Sequence, residues 1–564
     1  MRYDPFPRYP VVDRAVRTGH DALADALADR SAAVVAIDGP AALDWPVLVD
    51  GVRGAVARRG RRTTVVDMRD HLLDRPSIEA LTDRELRDDP HFARIPRVRL
   101  DRLFGLLPAP APGRHLVIVY GPGAALVGHD LLLYADRPKA DALAAVTDGA
   151  APNLGQRPGD TGTVRRLTFV DWPLQDEHKA RLVGRIDGYV DATDPAQPRL
   201  ADGPSVRRGL RALAGGPFRT RPTFAPGPWG GQWLRKVLDA PGDGPNLAWS
   251  FELITPESGL LLADATGTAV EVGFEMLMAE AGRDVLGPDV HARFGRSFPI
   301  RFDYLDTVEG GNLSVHCHPQ ERYAAEVFGL PYTQHETYYV MATTPGAEIF
   351  LGMRPEADLA AFRAGAHRSH EDAVPLAVQD HVARLPAQLH RLYQIPAGTP
   401  HASGAGNVIL EISSTPYLYS LRTYDWLRPG LDGAPRALPL EHAFANLDGD
   451  RRVSGLDGEL TPSPRVLRHG DGAVEEELGA HPALFFEVRR LDITTPGAAM
   501  DDDTAGRFHV LTVVDGPGVL VQSSAGEHPL SYAETLVVPA SVGAYRVRAL
   551  PGQRAMVVKA LVRG

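Results

Sequence analysis

Over the first 215 or so residues, short continuous apolar runs alternate with segments whose apolar positions return every three or four residues. "AAVVAIDGPAAL" (32–43) reads as a buried strand entering a Gly-Pro turn, "VLVDGVRGAVARRG" (47–60) as a helix, and "RRTTVVDM" (61–68) as a second strand. "RHLVIVYGPGAAL" (114–126) and "HDLLLYAD" (129–136) supply two more strands. This alternation predicts a parallel, doubly wound α/β domain over 1–215. Around 200–228 the texture becomes rich in Gly, Pro and Arg, as a linker would be. Short strands and turns then fill 216–445, with a helical insertion expected at about 355–392 ("PEADLAAFRAGAH", "AVQDHVARLPAQLHRLY"). A last segment, 446–564, repeats the strand and turn rhythm in "GRFHVLTVVDGPGVLVQ" and "AETLVVPASVGAYRVRA". The expected class is therefore multidomain, α/β followed by two all-β domains. No short-period repeat or low-complexity tract occurs.

Composition narrows the partners. At 564 residues the chain exceeds a single core, and 44% hydrophobic with 23% charged residues is the balance of a folded globular protein. The net charge of −11 is spread along the chain, so no basic stripe invites nucleic acid or an anionic membrane. No run of 18 apolar residues exists, and the start "MRYDPFPRYPVVDRAVRTGH" lacks an apolar targeting core. These features lead us to expect a cytoplasmic protein with a small-molecule partner; they set no oligomeric state. Cys317 is the sole cysteine, which rules out an internal disulfide and a Cys-based zinc cluster. Any metal chemistry must use His, Asp and Glu.

"NLSVHCHP" (312–319) carries that chemistry. In an extended strand, side chains alternate faces, so His316 and His318 point one way while Val315 and Cys317 point the other. Glu336, in the strand-like "HETYYVM", and His401, in the turn-bearing "IPAGTPHASG", complete a possible set of three imidazoles and one carboxylate. Such a set suits zinc, iron, manganese or nickel. Paired same-face histidines also occur on solvated sheets, Glu336 alone would be an ordinary surface carboxylate, and His335 is expected to face away. Cys317 is expected to pack.

From about Trp229 to the C-terminus the chain resembles the class I mannose-6-phosphate isomerases of the cupin superfamily. The resemblance is carried by "PWGGQWL" (228–234), "SFPIRFDYLD" (297–306), "NLSVHCHP", "HETYYVM", "IPAGTPHASG", "VILEISS" (408–414) and "LRTYDWLR" (421–428). It implies two jelly-roll β-barrels, the second, at 446–564, free of metal. It further implies a divalent metal on His316, His318, Glu336 and His401, and a sugar phosphate as substrate. Two positions depart from the family pattern: His316 stands where Gln is usual, and Gln334 where a Lys precedes the carboxylate ligand. Arg422 matches the family's active-site arginine.

An aldose–ketose isomerase moves a proton between C2 and C1, which requires a base, a polarised carbonyl and a hold on the phosphate. Glu411, Asp425 or a water on the metal are the candidate proton carriers, and Arg422 is the expected phosphate clamp. Arg428, Arg235 and Lys236 are secondary cations, and Trp229 is expected to pack. Two other readings stay open: a cupin enzyme of another reaction type, such as an iron-dependent oxygenase or an isomerase of another sugar, and a non-catalytic sugar-binding regulatory protein. "VVAIDGPAALDWP" (34–46) resembles the first strand and loop of a P-loop kinase of the uridine or cytidylate type, but it lacks the Gly-Lys that cradles phosphate. The implied amino-terminal unit is a degenerate kinase-like domain.

Overall fold

The structure is a computed structural model that describes residues 1–29, 33–110, 115–156, 160–255, 257–414 and 417–564. The first residues of two expected strand runs, Ala32 and Arg114, lie outside them. Internal contacts divide the chain into two compact units. One comprises Pro7–Ala214 and Pro256–Gly282; the other comprises Met1–Phe6, Gly215–Thr255 and Arg283–Gly564. The sequence suggested three consecutive parts. By contacts, residues on both sides of 445 share one unit, and Pro256–Gly282 belongs to the amino-terminal one. Within that returning segment the hairpin Gly259–Ala263/Ala269–Gly273 pairs in parallel with Arg8–Tyr9. Its alternation matches the β-rich texture around it, so only this pairing reveals where it belongs.

The amino-terminal unit is built on a seven-stranded sheet. Its order runs Arg17–Thr18, Arg199–Asp202, Gly188–Asp191, Leu131–Asp136, Val34–Asp38, Leu116–Tyr120, Thr63–Asp67. The five strands from Gly188–Asp191 to Thr63–Asp67 are mutually parallel, and the two edge pairs are antiparallel. Val34–Asp38 is buried along its whole length, as a parallel strand covered on both faces must be. The following helix, Trp45–Arg58, begins two residues before the expected start, because Asp44 caps the Val47 N–H and Pro46 fits the first turn. Its stripe of Trp45, Leu48, Val49, Val52, Ala55 and Val56 packs on the sheet.

At the end of the central strand, the buried Asp38 carboxylate accepts the backbone N–H groups of Gly39 (2.8 Å), Gly123 (3.3 Å) and Ala125 (2.7 Å). His178 Nε2 lies 2.9 Å from its second oxygen. These inward-facing donors are the kind a bound phosphate would need. Here a protein carboxylate takes them.

The other unit carries the candidate site. A six-stranded antiparallel sheet runs in the order Leu392–Ile395, Glu336–Thr343, Asn407–Ser413, Arg301–Asp306, Trp249–Leu253, Thr223–Ala225. It faces a five-stranded antiparallel sheet of Val382–Pro386, Glu348–Met353, His401–Ser403, Val315–Cys317 and Leu421–Tyr424. The expected helical insertion is shorter than its pattern suggests. Asp358 caps the helix Leu359–Asp372 by accepting from the Ala360 and Ala361 N–H groups, but "AVQDHVARLPAQLHRLY" does not continue it. Its Val382–Pro386 forms a strand against Glu348–Met353. Proline at 375 and 386 leaves too little chain for a second helix, and the open sheet edge supplies the backbone partners.

Residues beyond 446 form two further antiparallel sheets, of six and four strands, around a core that includes Leu491, Leu511, Val519, Val521, Val547 and Val557. Lys559 is fully buried there, its ammonium 2.6 Å from Glu475 and paired also with Asp502.

Candidate metal centre

The site arises where the two sheets of the second unit face each other, and strand register explains its composition. In the five-stranded sheet His316 lies directly opposite His401, and His401 opposite Leu351. Side chains directly opposite in an antiparallel ladder share a face, so both imidazoles project from one surface. His318 follows two residues after His316 and keeps the same side. Glu336 opens its strand in the other sheet, opposite Ile395 and Ser413.

These four side chains converge: one ligand atom from each of His316, His318, Glu336 and His401 lies within 4.8 Å of the others. His318 Nε2 stands 2.7 Å and His401 Nε2 3.1 Å from the same Glu336 oxygen. None of the four is more than 7% exposed. On the outer side, His316 Nδ1 meets the Ser314 carbonyl at 2.8 Å, His318 Nδ1 the Tyr419 carbonyl at 3.3 Å, and His401 Nδ1 the Thr399 carbonyl at 2.9 Å. Carbonyl acceptors at Nδ1 fix the tautomer that leaves each Nε2 lone pair pointing inward, the usual support of metal-bound imidazoles. The donor set therefore fits a divalent cation.

Electrostatics agree with that fit. Burial and the facing imidazoles of His401 and His318 hold His316 well below the usual histidine range, so it is neutral and able to donate a lone pair. Burial also lowers His318, against the pull of Glu336. Burial pushes Glu336 up, but His401 and His318 pull harder and leave it well below the usual carboxylate range.

The other expected residues fall in distinct places. Glu411 sits on the strand between those of Asp303 and Tyr338, directly opposite both, and is held well above the usual carboxylate range by burial and by the carboxylates of Asp303 and Glu336. Arg422 pairs in register with His316, so it shares the metal-facing surface one strand away. Burial and neighbouring Arg436 lower it to about 10. Asp425 is not open in this way: Ser314 Oγ donates to it, Arg428 Nη2 lies 2.6 Å away, and Arg436 makes a second close ion pair. Arg428 is thereby a partner of Asp425.

Lys236 pairs with exposed Glu309, and Arg235 donates to the carbonyls of Gly242 and Gly244. Trp229 is buried edge-on against Trp249, with ring centres 4.7 Å apart. His335 accepts the Ala397 N–H and turns away from the cluster, as expected. Cys317 is buried, its thiol 3.7 Å from the Ala443 carbonyl. Sequence reasoning missed Arg301, Asp303, Ser413 and Tyr338, which line the same face as Glu336 and Glu411. The alternation in "RFDYLD" and "VILEIS" could have signalled Arg301, Asp303 and Ser413, but only strand pairing reveals which face they share.

Residues 19–215 match a family described as a domain of unknown function (DUF8485). Mannose-6-phosphate isomerase of Streptococcus mutans is 26% identical over 324 residues, covering 56% of this chain and 90% of that protein. The mannose 6-phosphate isomerase of Bacillus subtilis superposes with a TM-score of 0.51 at 19% identity, over 61% of this chain and 99% of its own. A mutant of phosphomannose isomerase from Salmonella typhimurium aligns with a TM-score of 0.47 at 14% identity, over 62% of this chain and 100% of its own. The Bacillus likeness establishes a shared fold over that 61% of the chain. Among the described residues, no helix is long and apolar enough to cross a membrane.

Proposed function

We propose that this chain is a metal-dependent sugar-phosphate isomerase that interconverts mannose 6-phosphate and fructose 6-phosphate, with zinc as its metal. The observation that carries the reading is the buried cluster of His316, His318, Glu336 and His401, set within a fold shared with a mannose 6-phosphate isomerase. A divalent cation on this set would supply Lewis-acid polarisation of the substrate's C1 and C2 oxygens. Arg422, one strand from His316, adds positive charge where negative charge develops during enolisation. Glu411 is our choice of proton carrier: it lies on the rung next to Glu336, directly opposite Asp303 and Tyr338. Asp425, already spent on two arginines and Ser314, positions the strand that bears Arg422.

The division into an α/β part, a metal-binding cupin and a second, metal-free cupin belongs to the same proposal, as does a cytoplasmic setting. We read the amino-terminal unit as a kinase-like frame without phosphate chemistry. In support, its loop lacks Gly-Lys, and Asp38 consumes the N–H donors.

The test is elemental analysis of the purified full chain, followed by a coupled assay from mannose 6-phosphate to fructose 6-phosphate before and after chelation. Stoichiometric zinc and turnover that disappears with the metal and returns on its readdition are expected. Metal-loaded protein that binds the sugar phosphate without turnover would instead make it a sugar-binding regulator, and iron with oxygen consumption would make it an oxygenase.

A further inference from the structure

We propose that Arg301 anchors the phosphoryl end of the substrate, while the histidine cluster and Arg422 act at the reacting end; this assignment rests on the isomerase reading. Two rungs of side chains meet at the candidate metal centre. In the five-stranded sheet the rung is His401, His316, Arg422. In the facing sheet it is Glu336, Ser413, Arg301. Directly opposite residues share a face, so Arg301 projects from the surface that bears Glu336, two strand spacings or roughly 10 Å away. Arg422 is one spacing from His316, so we assign it to the reacting end and give the phosphoryl end to Arg301.

Arg301 is only 4% exposed, yet its Nε and Nη1 find no hydrogen-bond partner among the described residues. The same holds for Ser413 Oγ on the intervening strand and for both amide atoms of Gln334, which is 2% exposed and precedes Glu336 by two residues. A folded protein leaves few buried polar groups unpaired, because each forfeits the water it bonded when unfolded. Several together on one face of a candidate site indicate a polar ligand that completes them. Asp303, two residues further along the same strand face, and Glu411 opposite it belong to the adjacent rung, and neither accounts for those two donors.

The chemistry of these groups defines the occupant. A planar guanidinium suits bidentate binding of phosphoryl oxygens, and a neutral amide with a hydroxyl suits a sugar's hydroxyl groups, serving as both donor and acceptor. A ligand with metal-binding oxygens at one end, hydroxyls between and a phosphoryl group at the other satisfies all three.

The experiment compares wild type with Arg301→Ala and Arg301→Lys, using mannose 6-phosphate and unphosphorylated mannose. Arg301→Ala should retain its metal and raise KM for the phosphorylated sugar on the order of 100-fold with a smaller change in kcat, and lose far less kcat/KM on mannose than on mannose 6-phosphate. Arg301→Lys, which keeps the charge without the planar fork, should recover part of the loss, and it carries the comparison if the alanine variant does not fold. Equal losses on both sugars with metal retained would overturn the assignment. Calorimetric titration of mannose 6-phosphate separates this question from turnover. If wild type binds the sugar phosphate but does not isomerise it, the parent reading fails, whereas weaker binding by Arg301→Ala still supports the anchor and unchanged binding refutes it.

Discussion

His318 reaches the cluster through Nε2 and rests on the Tyr419 carbonyl through Nδ1, so both of its ring nitrogens are committed. Replacing it with alanine removes one of four proposed ligands and strands Glu336 in a buried pocket with one imidazole fewer. Elemental analysis of His318→Ala should show substoichiometric metal, with isomerase activity down by at least about 100-fold. His370 lies exposed on the Leu359–Asp372 helix, and His370→Ala should match wild type in both measurements. Equal metal content in the two variants would refute the site. His316 and His318 were legible as a same-face pair because the spacing of two in HxH fixes a shared face in any strand, whereas Glu336 and His401 were legible only from the motifs around them. The partners of Asp425 were not: Arg428 is three residues away in sequence, but Ser314 is 111 residues away, and no local pattern encodes that contact.

The turn before His401 shows how an element delivers a ligand. Gly398 has φ +85°, a left-handed conformation that glycine adopts without strain, and a Cβ there would lie 2.8 Å from the Asn446 carbonyl oxygen. Its N–H donates to the His318 carbonyl at 2.9 Å, so this one residue ties the strand of two histidines to the loop of the third. Gly398→Ala should therefore cost on the order of 2 kcal/mol in chemical denaturation and weaken metal retention under a chelator challenge. An unchanged midpoint together with unchanged metal retention would show that the turn does not position His401. The glycine was visible in "PAGTPHA", and a turn followed from it. Its bond to His318 depends on strand pairing. The helical block failed for a related reason: "HVARLP" has apolar positions compatible with either period, and the neighbouring strand's unpaired backbone decided the outcome.

On the scale of the whole molecule, the first six residues are held to the carboxy-terminal unit by a buried carboxyl. Tyr3 and Ser250 hydroxyls each donate to Glu252 at 2.5 Å, with Arg219 adding positive charge nearby. Burial outweighs these contacts and pushes the Glu252 pKa up from 4.5 to about 7. The folded state therefore binds this proton more tightly than the unfolded chain does. The associated stability is fully present below 4.5 and is lost as pH rises through about 7, a change on the order of 3 kcal/mol. Glu252→Gln, a neutral isostere, should flatten the stability–pH curve in that window when unfolding is followed by denaturant titration. A slope as steep as that of wild type would rule out Glu252 as its source.

By itself the sequence determined which residue types were available and how they alternate. It specified a parallel α/β pattern ahead of β-rich chain, one thiol with no partner, two imidazoles on one strand face, and a loop without the residues of a phosphate cradle. These are local properties, set by backbone periodicity and side-chain chemistry. Tertiary structure alone decided that Pro256–Gly282 joins the amino-terminal unit, that Asp38 fills the nest of N–H groups, and that Arg301 and Arg422 end two rungs crossing at Glu336 and His316. Each of those outcomes depends on which strands pair and in what register, and register is settled by burying one face of every strand at once across hundreds of residues.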